Sequence, residues 1–154
     1  MKCILSFFLW LFVLDSVSGQ EMSKTDSLDF CGQKIAVPSS CSTESPFSLK
    51  CEEYSIAWAY LYPQMLPSVP DETMETLKAI KKDFKKTNIY CYLGKDKVRG
   101  YQVSYFNGRG NVYIIFAFGE SNHQTVLFQI ITHKPVLVNS DIPEYVRPIF
   151  HLSE

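Results

Sequence analysis

Between positions 54 and 60 large and small residues alternate: Tyr54, Ile56, Trp58 and Tyr60, with Ser55, Ala57 and Ala59 between them. Period two belongs to a strand, because successive side chains leave opposite faces of the backbone. The segment predicts a strand with one bulky face and one small face. A helix is the competing reading, since Tyr54, Trp58 and Leu61 also fall about a turn apart. Just upstream, Phe47, Leu49 and Cys51 alternate with Ser48 and Lys50. Pro63, Pro67 and Pro70 then break the chain, because proline brings no backbone donor to a ladder.

The period changes at residues 71–87. Met74, Leu77, Ile80 or Lys81, and Phe84 recur every three to four positions, which predicts an amphipathic helix. Pro70 suits its first turn. Asp71, Glu72 and Glu75 lead, and Lys81, Lys82, Lys85 and Lys86 trail, an order that opposes the helix macrodipole. Asn88 is the expected stop, and the lysines read as the solvated end of the helix.

From residue 89 to 132 the pattern predicts an antiparallel meander with strands at 89–93, 98–106, 112–118 and 125–132. The turns fall at 94–97, 107–110 and 119–123. Asn107-Gly108 is the strongest short hairpin signal in the chain. Closure there sets Tyr105 against Val112, Val103 against Ile114 and Tyr101 against Phe116. A three-residue loop at 121–123 would set Phe118 against Val126, Phe116 against Phe128 and Ile114 against Ile130. A slip of one residue turns every side chain to the other face. In this register the second face carries Gln102, Ser104, Tyr113, Ile115, Ala117, Leu127, Gln129 and Ile131. It needs either a covering layer or a ligand, and the covering layer is the expectation. Short strands are expected at 34–37 and 135–138, with a helical turn capped by Ser140 or Asp141 and a tail at 149–152 that packs back. The fold class is therefore α+β: one domain, an antiparallel β-meander of about five to seven strands, and one main helix over residues 71–87.

The beginning of the chain sets the compartment. Lys2, an eleven-residue apolar run at 4–14 and the small residues Val17-Ser18-Gly19 have the layout of an export signal. The run is shorter than the roughly 20 residues a membrane span needs. The expected organisation is a signal peptide at 1–19, a flexible lead at 20–30 and one α+β domain over 31–154. The expected location is extracellular or, in a bacterium, periplasmic. No integral membrane segment is expected after signal removal, and the chain is expected to be a monomer. The composition, 46% hydrophobic and 20% charged, is that of a folded chain. A net charge of −1 argues against nucleic acid as a partner.

An oxidising compartment gives the cysteines their meaning. Cys3 leaves with the signal, and Cys31, Cys41, Cys51 and Cys91 remain. An even set reads as two disulfides. Of three possible pairings, Cys31–Cys41 with Cys51–Cys91 is favoured. The spacing lacks the close cysteine pairs of a zinc site.

Catalytic chemistry is not legible. His123, His133 and His151 have no ligand partner at helical spacing, and no nucleophile elbow, phosphate loop or dinucleotide fingerprint occurs. No catalytic, cofactor-binding or metal-binding residue is assigned. The tyrosines are the one enriched recognition residue, nine in all. Tyrosine offers broad contact at low entropic cost. Tyr90, Tyr92 and Tyr113 form the candidate binding surface. The expected function is a small exported, disulfide-stabilised binding or interaction protein, such as an inhibitor or immunity-type module, with another protein or a small apolar ligand as partner. The alternatives are a carrier with an apolar pocket between helix and sheet, and a hydrolase whose residues meet only in the fold.

Overall fold

A computed structural model describes residues 27–153. The expected signal peptide and most of the expected lead lie outside the described residues. Ten strands and one α-helix follow in the order β1 (Ser27–Phe30), β2 (Gln33–Ala36), β3 (Ser42–Ser45), β4 (Ser48–Lys50), β5 (Tyr54–Tyr60), α1 (Val69–Ile80), β6 (Lys82–Leu93), β7 (Asp96–Phe106), β8 (Asn111–Ser121), β9 (Gln124–Thr132) and β10 (Phe150–Leu152). Strands β1 and β2 form a hairpin of their own. The other eight build one antiparallel sheet in the order β10-β6-β7-β8-β9-β5-β4-β3. Strand β1 lies in the segment expected as lead, and residues 135–138 do not form a strand.

The hairpin register expected around Asn107 is present: Tyr105 faces Val112, Val103 faces Ile114 and Tyr101 faces Phe116. The next register differs. Ser121 pairs with Gln124, so the turn is the two residues Asn122 and His123, both at positive φ (48° and 62°). That is the type I′ geometry whose twist suits a hairpin. Ile114 therefore faces Ile131, and Phe116 faces Gln129. The shift carries Leu127, Gln129 and Ile131 to the face expected for Val126, Phe128 and Ile130.

The helix is shorter than the spacing predicts. It ends at Ile80, and Lys81 is already extended (φ −106°, ψ 132°). Val69, Pro70, Thr73, Met74 and Leu77 are its buried side. The segment from Lys82 onward is strand β6, with Asp83 at φ 56° where its register against β7 shifts. Phe84 sits one helical interval beyond Ile80, so it prolonged the apparent period. In the fold it belongs to the strand and packs on the helix-side cluster.

Helix α1 lies over one face of the sheet, on Tyr101, Val103, Tyr105, Ile114 and Phe116. The opposite face carries Ile56, Trp58, Ile115, Phe128 and Ile130. It is covered by the β1–β2 hairpin, through Leu28, Phe30 and Ile35, and by the C-terminal segment, through Ile142, Val146 and Phe150. Phe30 meets Trp58 and Phe128 edge-on at 5.5 and 5.4 Å. This is the covering layer expected for the second face, although the residues on that face are partly different.

The favoured cysteine pairing is not present. One disulfide joins Cys41 to Cys51, with Cα atoms 4.3 Å apart. The β3–β4 hairpin explains it: Ser42 pairs with Lys50, so the two cysteines stand opposite each other one step beyond. Cys31 and Cys91 are free and buried. Cys91 lies inside β6 beside Gly100, and Cys31 lies in the β1–β2 turn. No helix among the described residues is long and apolar enough to cross a membrane.

Candidate functional site

Helix α1 is only twelve residues long and leaves part of its sheet face uncovered, because β6 and β7 run on past its start. The register fixes what points out there. Asn88 stands opposite Tyr101, Tyr90 opposite Arg99 and Tyr92 opposite Lys97, so all six share the helix-side face. Strand β10 continues it, with His151 opposite Tyr92.

Rings and cations alternate across this surface. The Tyr92 and His151 rings stack, with centroids 4.9 Å apart and planes 10° from parallel. Lys97 Nζ lies 5.2 Å from the centre of the Tyr90 ring. Lys86 Nζ lies 4.7 Å from that of Tyr101, and the Arg99 guanidinium 5.7 Å from the same ring. Arg99 also donates to the Tyr101 hydroxyl and stands 3.6 Å from Asp71 at the start of α1. That ion pair is exposed and adds little stability, but it sets the direction of the guanidinium. Each exposed cation–ring contact is worth about 0.5–1 kcal/mol. Tyr90 is 73% exposed. An open cleft of about 430 Å³ adjoins this face between the start of α1 and the strands, lined by Leu66, Pro70, Lys97, Arg99, Phe118 and Glu120 among others.

Tyr90 and Tyr92 are thus brought together. Tyr113 is not with them: it stands opposite Ser104 and Thr132, on the face turned to the C-terminal segment, and is half-buried. Lys86, Lys97, Arg99 and His151 were missed by sequence reasoning. Their signal was present in part, because Lys97, Arg99 and Tyr101 alternate with buried Val98 and Gly100.

The other polar clusters are committed to structure. A cleft of about 630 Å³ gathers Glu52, Glu53, His133, Asp141 and Arg147, the meeting of histidine and carboxylates that a hydrolase would use. Asp141, however, accepts the backbone N–H groups of Leu137 (2.9 Å) and Val138 (3.1 Å), which hold its carboxyl below the usual range. Arg147 donates from Nε to the Ile142 carbonyl. These two side chains brace the loop before β10. Beside that cleft, the Tyr145 hydroxyl donates toward Cys51 Sγ at 3.5 Å, and burial pushes its pKa up to about 12.

The free thiols have no nucleophilic setting. Burial pushes Cys91 up to about 12 and raises Cys31 as well, so both are protonated near neutrality. Among the described residues no group of three or more His, Cys, Asp or Glu side chains could hold a metal ion. No protein-family model matches the chain, and no curated protein matches its sequence.

Proposed function

We propose that the protein is a small exported binding module that recognises another protein through the uncovered helix-side face of its sheet. The observation that carries this reading is Tyr90, an aromatic ring 73% exposed with Lys97 beside it and the Tyr92–His151 stack next along the sheet. A large ring left in water has little stabilising role, and aromatic and arginine side chains are the common anchors of interfaces. The Cys41–Cys51 disulfide supports an oxidising location. The rigid eight-stranded sheet supplies a fixed platform, so little order has to be gained on binding. An inhibitor or immunity-type role belongs to this class.

The test is affinity capture from the native extracellular or periplasmic fraction, with the wild-type protein and a Tyr90→Ala/Lys97→Glu variant side by side. The expected result is a protein held by the wild type and lost by the variant, with equal urea unfolding curves for the two baits. Identical captured sets would overturn the reading.

A further inference from the structure

We propose that the open edge of β6 takes up an extended acidic segment of a partner protein as a ninth strand of the sheet. This deepens the binding reading and rests on it. Strand β10 covers β6 only from Tyr90 to Leu93: Cys91, Tyr92 and Leu93 are in register with it, and the Ser153 N–H donates to the Tyr90 carbonyl at 2.9 Å. In an antiparallel ladder one residue sends its N–H and C=O to the same side, and alternate residues do likewise. Tyr90 faces outward through its carbonyl, so Asn88 and Lys86 face outward too. Among the described residues, no strand pairs with them on that side, and no hydrogen bond reaches their backbones from it.

Two further observations name the occupant. Lys85 and Lys86 lie on opposite faces of this edge, with Lys82 near its start, and all three are exposed against the single carboxylate of Asp83. Lysines on an edge oppose pairing with a second copy, where they would meet lysines. They favour a strand that carries carboxylates. Beside Asn88 and Tyr90, an open cleft of about 330 Å³ is lined by Leu137 and Val138, which are 70% and 54% exposed. Strand addition draws affinity from main-chain bonds and specificity from such seats for alternate side chains. The occupant is therefore an extended segment in which acidic residues, on the helix-side face toward Lys86, alternate with β-branched apolar ones on the other face.

The probe is a capped hexapeptide of alternating glutamate and valine, titrated into the oxidised protein. Amide exchange at Lys86 and Asn88 is expected to slow by about tenfold or more at saturation. N-methylation of the peptide at every second residue, on the pairing side, is expected to abolish binding. So is Asn88→Pro, since proline is tolerated at an edge position whose N–H faces solvent. Lys85→Glu/Lys86→Glu should transfer preference to the lysine–valine peptide. Unchanged exchange at both amides, or binding indifferent to N-methylation, overturns the proposal whether or not Asn88→Pro folds. Protection that appears with protein concentration alone would give the edge to a second copy. Protection lost on removing residues 20–26 would give it to the chain's own amino-terminal segment. Either result overturns the proposal as well. A captured partner that depends on Tyr90 and Lys97 but is kept by Asn88→Pro leaves the binding reading standing and removes strand addition alone.

Discussion

Cys91 Sγ fills the space that a Cβ on Gly100 would need; the two would stand 2.7 Å apart. Ile89 Cγ1 is equally close. Strands β6 and β7 run side by side here, Ile89 opposite Gly100 and Cys91 opposite Val98, with the buried thiol tucked over a bare backbone. Gly100→Ala is expected to lower stability by about 1–3 kcal/mol through overpacking. Urea unfolding checks this. Cys91→Ala in the same chain should restore part of the loss, and Ile89 keeps it from restoring all.

Alkaline pH should weaken the fold in a defined window. Burial raises Cys91 from 9.0 to about 12 and Tyr145 from 10.0 to about 12. A group with a raised folded-state pKa holds its proton more tightly when folded. Its stabilising effect is complete below the unfolded pKa and is lost as pH rises toward the folded one. Stability should therefore be flat below about pH 9 from these groups and fall between about 9 and 12. Cys91→Ala should lessen the decline from about pH 9 onward, through the whole window, and Tyr145→Phe should lessen it only above about pH 10. Denaturant midpoints recorded across that range decide it.

The β8–β9 turn stores backbone strain. His123 sits at φ 62°, a region that costs an ordinary residue about 1–2 kcal/mol and glycine almost nothing. His123→Gly is expected to stabilise the protein by about 0.5–1 kcal/mol, after allowing for the freer unfolded chain. Asn122 behaves differently. Its side-chain amide donates to the Cys31 carbonyl at 2.9 Å and ties this turn to the β1–β2 turn. Asn122→Ala is expected to cost about 1–2 kcal/mol. Thermal unfolding of the two variants should move in opposite directions.

Two tyrosines separate stability from recognition. Tyr90→Ala removes an exposed ring and should change stability by less than about 0.5 kcal/mol while weakening partner capture. Tyr113→Ala removes a half-buried ring from the other face. It should lower the unfolding midpoint and leave capture unchanged. Paired unfolding and capture measurements on both variants test this, and equal behaviour would contradict it.

What could be read from the chain depended on how local its cause was. The strand at β5 was legible because bulk alternates over seven residues, with Ile56 and Trp58 buried and the small residues on the other face. The Asn107 hairpin was legible because its turn chemistry is local and sets the register. Residues 81–87 misled for a physical reason. From Lys82 on they form an edge on which only Phe84 is half-buried, so lysines occupy both faces and the strand period vanishes, while Phe84 imitates a helical step. The β8–β9 register missed by one because Asn122-His123 makes a two-residue turn without glycine. The disulfide followed from a hairpin of four- and three-residue strands, too short to leave a pattern. Of the candidate site, the rings of Tyr90 and Tyr92 could be picked out. Their cationic neighbours could not, because they depend on where α1 begins over the sheet and how β6 pairs with β7.

The two margins of the eight-stranded sheet are unlike. One is β3, four residues long, irregular in its pairing and covalently closed onto β4 by Cys41–Cys51. At the other, the short β10 covers only the end of β6 and leaves the rest of that long strand open. Fibre growth by stacking sheets side by side needs a competent donor and a competent acceptor on every molecule. Among the described residues this sheet offers one such margin, so a visitor that docks there ends the chain of events, and complexes should stop at one to one.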